Sequence, residues 1–161
     1  MRRPLSALLA LALLAGCSSG SDGPGTVRVQ VGPQAVDVQP TQGCVDGERT
    51  RYNIEAPILE VSPDATITLT VPDDIARQGW SVQVFDKGLE KQLGDVDVPR
   101  RAARFDGINT SDVVPPAFYL VIVENKCGDC GEWSAAWPVG FIRAGGDLGT
   151  ATTSPAPSTQ G

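Results

Sequence analysis

Histidine is absent from the 161 residues of this chain. Without an imidazole there is no Ser-His-Asp or Cys-His nucleophile, and no histidine-ligated zinc or blue-copper centre. Methionine occurs once, as the initiator Met1, so a copper site completed by a thioether is a poor option as well. Basic charge is scarce: 13 Lys and Arg stand against 19 Asp and Glu, for a net charge of −6. Such an acid excess argues against nucleic acid and against electrostatic attachment to anionic lipid. No phosphate-binding glycine loop, internal repeat or long helical pattern appears. The apolar run from Leu5 to Leu14 is too short to span a bilayer with comfort.

That short run is nevertheless the most informative feature present. Arg2 and Arg3 precede it, and Leu14-Ala15-Gly16-Cys17 ends it, with a polar Ser-Ser-Gly-Ser-Asp-Gly stretch following. Positive n-region, apolar h-region and small residues before a cysteine spell a bacterial lipobox. Residues 1–16 therefore read as a lipoprotein signal peptide and Cys17 as the lipidated residue, its thiol accepting a diacylglyceryl group. Residues 17–25 read as a flexible, lipidated tether rich in Gly and Ser. Two or more acyl chains anchor stably where one does not, at about 0.8 kcal/mol per buried methylene. The expected location is the extracytoplasmic face of the cell membrane, and membrane lipid is the first expected partner.

Residues 26–144 carry the folded part, and residues 145–161, ending in Ser/Thr/Pro-rich sequence, are expected to be a disordered tail. The hydrophobic period in between is two. Val27, Val29 and Val31 share one face, as do Ile67, Leu69 and Val71, and Trp80, Val82 and Val84. Further strands are expected at residues 35–38, 50–54, 58–61, 104–105 and 137–142, and a short hairpin over 89–98. Residues 72–79 read as a loop with at most one helical turn. Ala117 to Val123 is apolar on both faces, which predicts a central strand. Many short strands without long helices predict an all-β fold, an antiparallel immunoglobulin-like or cupredoxin-like β-sandwich. The antibody Cys-Trp-Cys spacing is missing, and so are cupredoxin metal ligands.

Three segments carry a resemblance: Gln39-Pro-Thr-Gln-Gly-Cys-Val-Asp-Gly47, Gln78-Gly-Trp-Ser-Val-Gln-Val-Phe-Asp86, and Asn109-Thr-Ser-Asp-Val-Val-Pro-Pro-Ala-Phe-Tyr119. With the closing Ala136-Trp-Pro-Val-Gly-Phe-Ile-Arg143, the chain resembles an actinobacterial lipoprotein family catalogued only as a domain of unknown function. The resemblance implies a cell-envelope lipoprotein and transfers no catalytic residue.

Besides Cys17 the cysteines are Cys44, Cys127 and Cys130. An exported compartment favours disulfides, and three thiols allow one intrachain bond. Cys127-Gly-Asp-Cys130 has redox-motif spacing, but too little chain follows for a thioredoxin fold, and Pro138 stops any helix. The favoured reading is a loop stapled to Cys44 by Cys127 or Cys130, with a Cys127–Cys130 bond as the other choice. A zinc site from these thiols and Asp129 is disfavoured, because free thiolates oxidise there. Paired acids such as Asp73-Asp74, Asp95 with Asp97, and Asp129 with Glu132 read as solvated charge, the first pair capping a turn. Asn109-Thr110-Ser111 spells a glycosylation acceptor that a bacterial lipobox makes irrelevant. Trp80 is expected in the core and Trp133, in the cysteine loop, as a possible ligand contact. The chain is thus read as a non-catalytic binding or scaffolding head, without metal or cofactor, for an unidentified envelope protein or glycan, with 73–79 as a candidate binding loop. The alternative is thiol–disulfide exchange at Cys127 and Cys130.

Overall fold

Alternating apolar residues make strands wherever one face can be buried, and the computed structural model, which describes residues 24–125, 129–143 and 146, is built almost entirely in this way. The strands in chain order are β1 (Val27–Val31), β2 (Gln34–Val38), β3 (Gln42–Val45), β4 (Glu48–Arg51), β5 (Ile58–Glu60), β6 (Thr66–Thr70), β7 (Trp80–Asp86), β8 (Gln92–Asp97), β9 (Arg104–Asn109), β10 (Ala117–Asn125) and β11 (Trp133–Ile142). One short helix, α1 (Asp73–Gln78), joins β6 to β7. The first sheet has the order β2-β1-β6-β9, and the second β4-β3-β11-β10-β7-β8. Neighbours along both paths are antiparallel, and β5 adds a parallel pairing to the end of β11. The chain is an all-β sandwich. It crosses between sheets at β2–β3, β5–β6, β6–β7, β8–β9 and β9–β10.

The core is where the two inner faces meet. Val27, Val29, Ile67 and Leu69 come from the first sheet, and Val82, Leu120, Ile122 and Val139 from the second, each fully buried or nearly so. Phe118 and Phe141 are register partners on β10 and β11 and stack with centroids 5.3 Å apart. Trp80 packs edge-on against Phe105 at 6.4 Å, and its indole N–H donates to the Ala102 carbonyl at 2.7 Å. A buried tryptophan thus has a partner for its polar atom. Trp137 does the same, donating to the Gly25 carbonyl at 2.8 Å. That bond fixes the point where the tether enters the fold.

The differences from the sequence reading have local causes. Residues 73–78 form the short helix α1, which buries Ile75 and Ala76 against one end of the core and leaves Asp73, Asp74, Arg77 and Gln78 exposed. Asp73 and Asp74 do not cap the turn either. Pro72 occupies the N-cap, no side chain caps the helix, and both acids lie in its first turn, where their charge favours the helix dipole. Gly79 ends the helix at φ 97°, and a side chain there would collide with the Asn125 amide. The strand expected over 50–54 is displaced to Glu48–Arg51, because β4 pairs with β3 in a tight hairpin whose turn holds Asp46 and Gly47 at positive φ. Strand β3 itself lacked a clear apolar alternation and was not expected. Residues 89–98 do not form their own hairpin. Instead β8 pairs with β7 across a turn in which the Asp86 carboxylate accepts the N–H groups of Glu90 and Lys91, bonds that hold its pKa below the usual value.

Thr110 is fully buried. Its hydroxyl donates to the Ser62 carbonyl at 2.8 Å and accepts the Ala65 N–H at 2.9 Å. Thr110→Val keeps the shape but orphans both backbone groups. Such a loss costs about 1–3 kcal/mol, and urea denaturation is expected to show it as a lower midpoint at unchanged slope.

Candidate functional site

Two places break the closed sandwich, one at each flank of the second sheet. On one flank β8 and β9 are the edge strands of opposite sheets, and no hydrogen bonds join them. A bulge lets Leu93 slip out of register, since Gly94 pairs with Val84 while Gln92 pairs with Phe85. Between the edges lies a cleft of about 400 Å³ lined mainly by Val84, Leu93, Val96, Ile108, Val113 and Pro115. Asp95 and Asp112 stand among these apolar residues. Leu93 is 39% exposed and Val114, on the lip, 91%, so apolar surface reaches the solvent here.

The cleft wall is a built loop. The Asn109 side chain accepts the Ser111 N–H at 2.9 Å and donates to Asp64 at 2.8 Å, while the Asp112 carboxylate accepts the Asn109 N–H at 2.7 Å. Arg143 then holds the apolar part. Its Nη2 donates to the carbonyls of Val113, Val114 and Pro115 at 2.5, 3.1 and 2.8 Å. Its guanidinium also lies 5.9 Å from the Phe118 ring centroid, within cation–π range. One guanidinium from the end of β11 thereby positions one side of the cleft.

On the opposite flank, Cys44 of β3 is bonded to Cys130, with Cα atoms 5.8 Å apart and a sequence separation of 86. Arg49 faces Cys44 across the β3–β4 hairpin. Its Nη2 donates to the carbonyls of Cys130 and of Trp133, the latter at 3.1 Å, and its guanidinium sits 3.7 Å above the Trp133 ring. Trp133 is the first residue of β11 rather than part of a loop, and Arg49 covers one face of this half-buried indole. Cys127 and Cys17 lie outside the described residues. With Cys130 bonded to Cys44, thiol–disulfide exchange by a Cys127–Cys130 pair is not favoured.

Sequence reasoning missed Glu124. It lies near the end of β10, in register with Trp80 of β7 and Ala135 of β11, beneath α1. Burial first, and then the Asp74 charge, raise its pKa to about 7. Asp95 and Asp97 share one edge strand, and no group of three or more His, Cys, Asp or Glu that would hold a metal occurs among the described residues.

Residues 22–124 match the profile of a family described as protein of unknown function (DUF2771). The chain belongs to the DUF2771 family. Residues 1–18 match the prokaryotic membrane lipoprotein lipid attachment site, and Cys17 is the cysteine within them. This DUF2771 protein is a lipid-anchored membrane lipoprotein, and no helix among the described residues is long and apolar enough to cross a membrane. No curated protein and no solved structure matched the chain. The DUF2771 match takes in α1, Glu124 and every named lining residue of the cleft, while Cys130, Trp133 and Arg143 follow it.

Two tests address these geometries. Cys44→Ala opens a loop of more than eighty residues and is expected to lower stability by about 3–5 kcal/mol in the chain-entropy treatment, read as a loss in denaturation midpoint. Glu124 binds its proton more tightly folded than unfolded, so folding stability contributed by this group falls as pH rises from about 4.5 to about 7. Melting curves across that range are expected to lose this slope in Glu124→Gln.

Proposed function

We propose that the DUF2771 head is a non-catalytic binding module, displayed on the extracytoplasmic face of an actinobacterial cell membrane by acylated Cys17, and that its site is the cleft between β8 and β9. The observation that carries the reading is the cleft itself. Its volume of about 400 Å³ falls within the range of small-molecule sites, which are mostly apolar with a few placed polar groups. Val84, Val96, Ile108 and Val113 supply the apolar wall, and Asp112 a polar group beside it. The ligand class that fits is an apolar group of small-molecule size, free or carried by an envelope partner. A bare glycan fits less well, because the lining holds no aromatic platform.

The position of the cleft supports the same role. Gly25, where the tether meets the fold, lies beside Pro72 and under Trp137 at the α1 end. Val113 to Pro115 precede β10, whose far end meets Gly79. The cleft loop is therefore at the pole away from Gly25.

Gly94 offers a clean test, because a side chain added there meets open space. The uncharged fluorophore N-phenyl-1-naphthylamine is expected to bind the wild-type head saturably, with enhanced emission. Gly94→Phe fills the cleft and is expected to weaken that binding at least tenfold while the melting temperature stays unchanged. Equal binding by both proteins removes the cleft from the proposal.

A further inference from the structure

The β8–β9 flank is bordered by backbone as well as by side chains. Strand β8 has β7 on one side and no strand on the other, and β9 is likewise the last strand of its sheet. Along such an edge, alternate residues turn their N–H and C=O groups away from the sheet, where another chain can pair with them. A bulge interrupts each edge: β8 shifts register at Leu93, and β9 sets Asp106 and Gly107 against Thr68 alone. Beyond its bulge, β8 pairs regularly with β7 from Gly94 to Asp97, without a proline. Gly94 and Val96 share register rows with Val84 and Val82, whose side chains are buried, so they lie on the inner face and are half-buried. Asp95 and Asp97 lie on the outer face and are exposed. Neither carboxylate is in an ion pair among the described residues. Across the gap stand Ile108 of β9 and Val113 of the loop after it.

We propose that an extended peptide segment of a partner protein, with apolar side chains alternating with Lys or Arg, adds as a strand to the free edge of β8 over Gly94–Asp97. This rests on the cleft being the binding site, and it names the class of ligand. The pleat of β8 sets the pattern. A strand continuing the second sheet turns every other side chain inward, beside Gly94 and Val96 and over Ile108 and Val113, where it fills the cleft. The missing side chain at Gly94 leaves room for one of them, since a Cβ built there meets nothing within 4 Å. The alternate side chains fall on the outer face beside Asp95 and Asp97, and opposite charges on neighbouring strands attract. Main-chain hydrogen bonds supply the affinity of such strand addition, and the alternating side chains its specificity. Charge also selects against a second copy of this chain. Two β8 edges laid together set Asp95 and Asp97 against the same acids, and like charges on neighbouring strands repel. A free small molecule would fill the apolar space but leave the row of edge N–H and C=O groups to water.

The test uses the acylated full-length protein in phosphatidylcholine nanodiscs, with empty nanodiscs as the blank. The probe is a capped, fluorescent peptide of four Lys-Val repeats, read by anisotropy. Wild type is expected to bind it saturably. A peptide of the same composition with its valines in one block, and a peptide of four Glu-Val repeats, are each expected to bind at least tenfold more weakly. The double variant Asp95→Lys/Asp97→Lys is expected to reverse the preference at unchanged melting temperature, losing the Lys-Val peptide at least tenfold and gaining the Glu-Val one. On binding, amide hydrogen exchange is expected to slow in β8 and not in β2 or β4, which are also sheet edges. Equal binding of the alternating and blocked peptides, a charge preference indifferent to the double variant, or binding without slowed exchange in β8 overturns the proposal. So does pairing of two copies through β8. If the head binds N-phenyl-1-naphthylamine while the full-length protein ignores the Lys-Val peptide, this inference fails and the cleft reading stands. Absence of both bindings overturns both.

Discussion

The antiparallel pairing of β10 with β11 is the interaction on which the rest of the structure depends. It is the longest ladder in the fold, and it places Phe118 on Phe141 and Leu120 opposite Val139 at the centre of the core. Strand β7 adds to the other side of β10, bringing Trp80 and Val82. Strands β3 and β5 take separate stretches of the free edge of β11. Misplacing β11 by one residue would turn Trp137, Val139 and Phe141 outward. The loss of several aromatic and aliphatic side chains from the core, each contributing about 1.5–3 kcal/mol of burial, makes that slip prohibitive.

Register on this pair also sets the two flanks. The Cys44–Cys130 bond and the Arg49 guanidinium secure the hairpin on one side to the turn that leads into β11. On the other side the end of β11 delivers Arg143 to three successive carbonyls of the cleft loop. The same strand is thus held at its start by a covalent staple, and its finish shapes the cleft. A small domain gains from the first, since it has limited core to rely on. The second keeps an apolar opening from collapsing, because the loop wall is tied by charge-assisted hydrogen bonds.

The molecule has a direction. Gly25 and helix α1 lie toward one pole, and the loop from Thr110 to Pro116 lies at the other. Glu124 sits at the Gly25 pole beneath α1, where desolvation and Asp74 raise its pKa into the neutral range. The cleft is at the far pole, in an environment of apolar side chains. Glu124 and the proposed ligand opening thus lie at opposite ends of the strands.

Much of this was legible in one dimension. Alternation in Val27–Val31, Thr66–Thr70 and Trp80–Asp86 declared strands and their buried faces, because strand periodicity is local. The two-sided apolar run of Ala117–Val123 declared a central strand, and Leu14-Ala15-Gly16-Cys17 the lipid anchor, since a peptidase reads contiguous residues. Strand β3 was hidden, for Gln42-Gly43-Cys44-Val45 has no clear alternation and owes its place to β11. The role of residues 73–79 was hidden too, because burial of Ile75 and Ala76 depends on what they cover. What the sequence by itself determined is the class of fold, the membrane anchor and the chemistry excluded by the lack of histidine. Only the tertiary structure decided that Cys44 meets Cys130, that Arg143 braces Val113 to Pro115, and that Glu124 is desolvated. Each of these joins residues far apart in the chain, and their meeting is a property of strand register and sheet order, which no local pattern encodes.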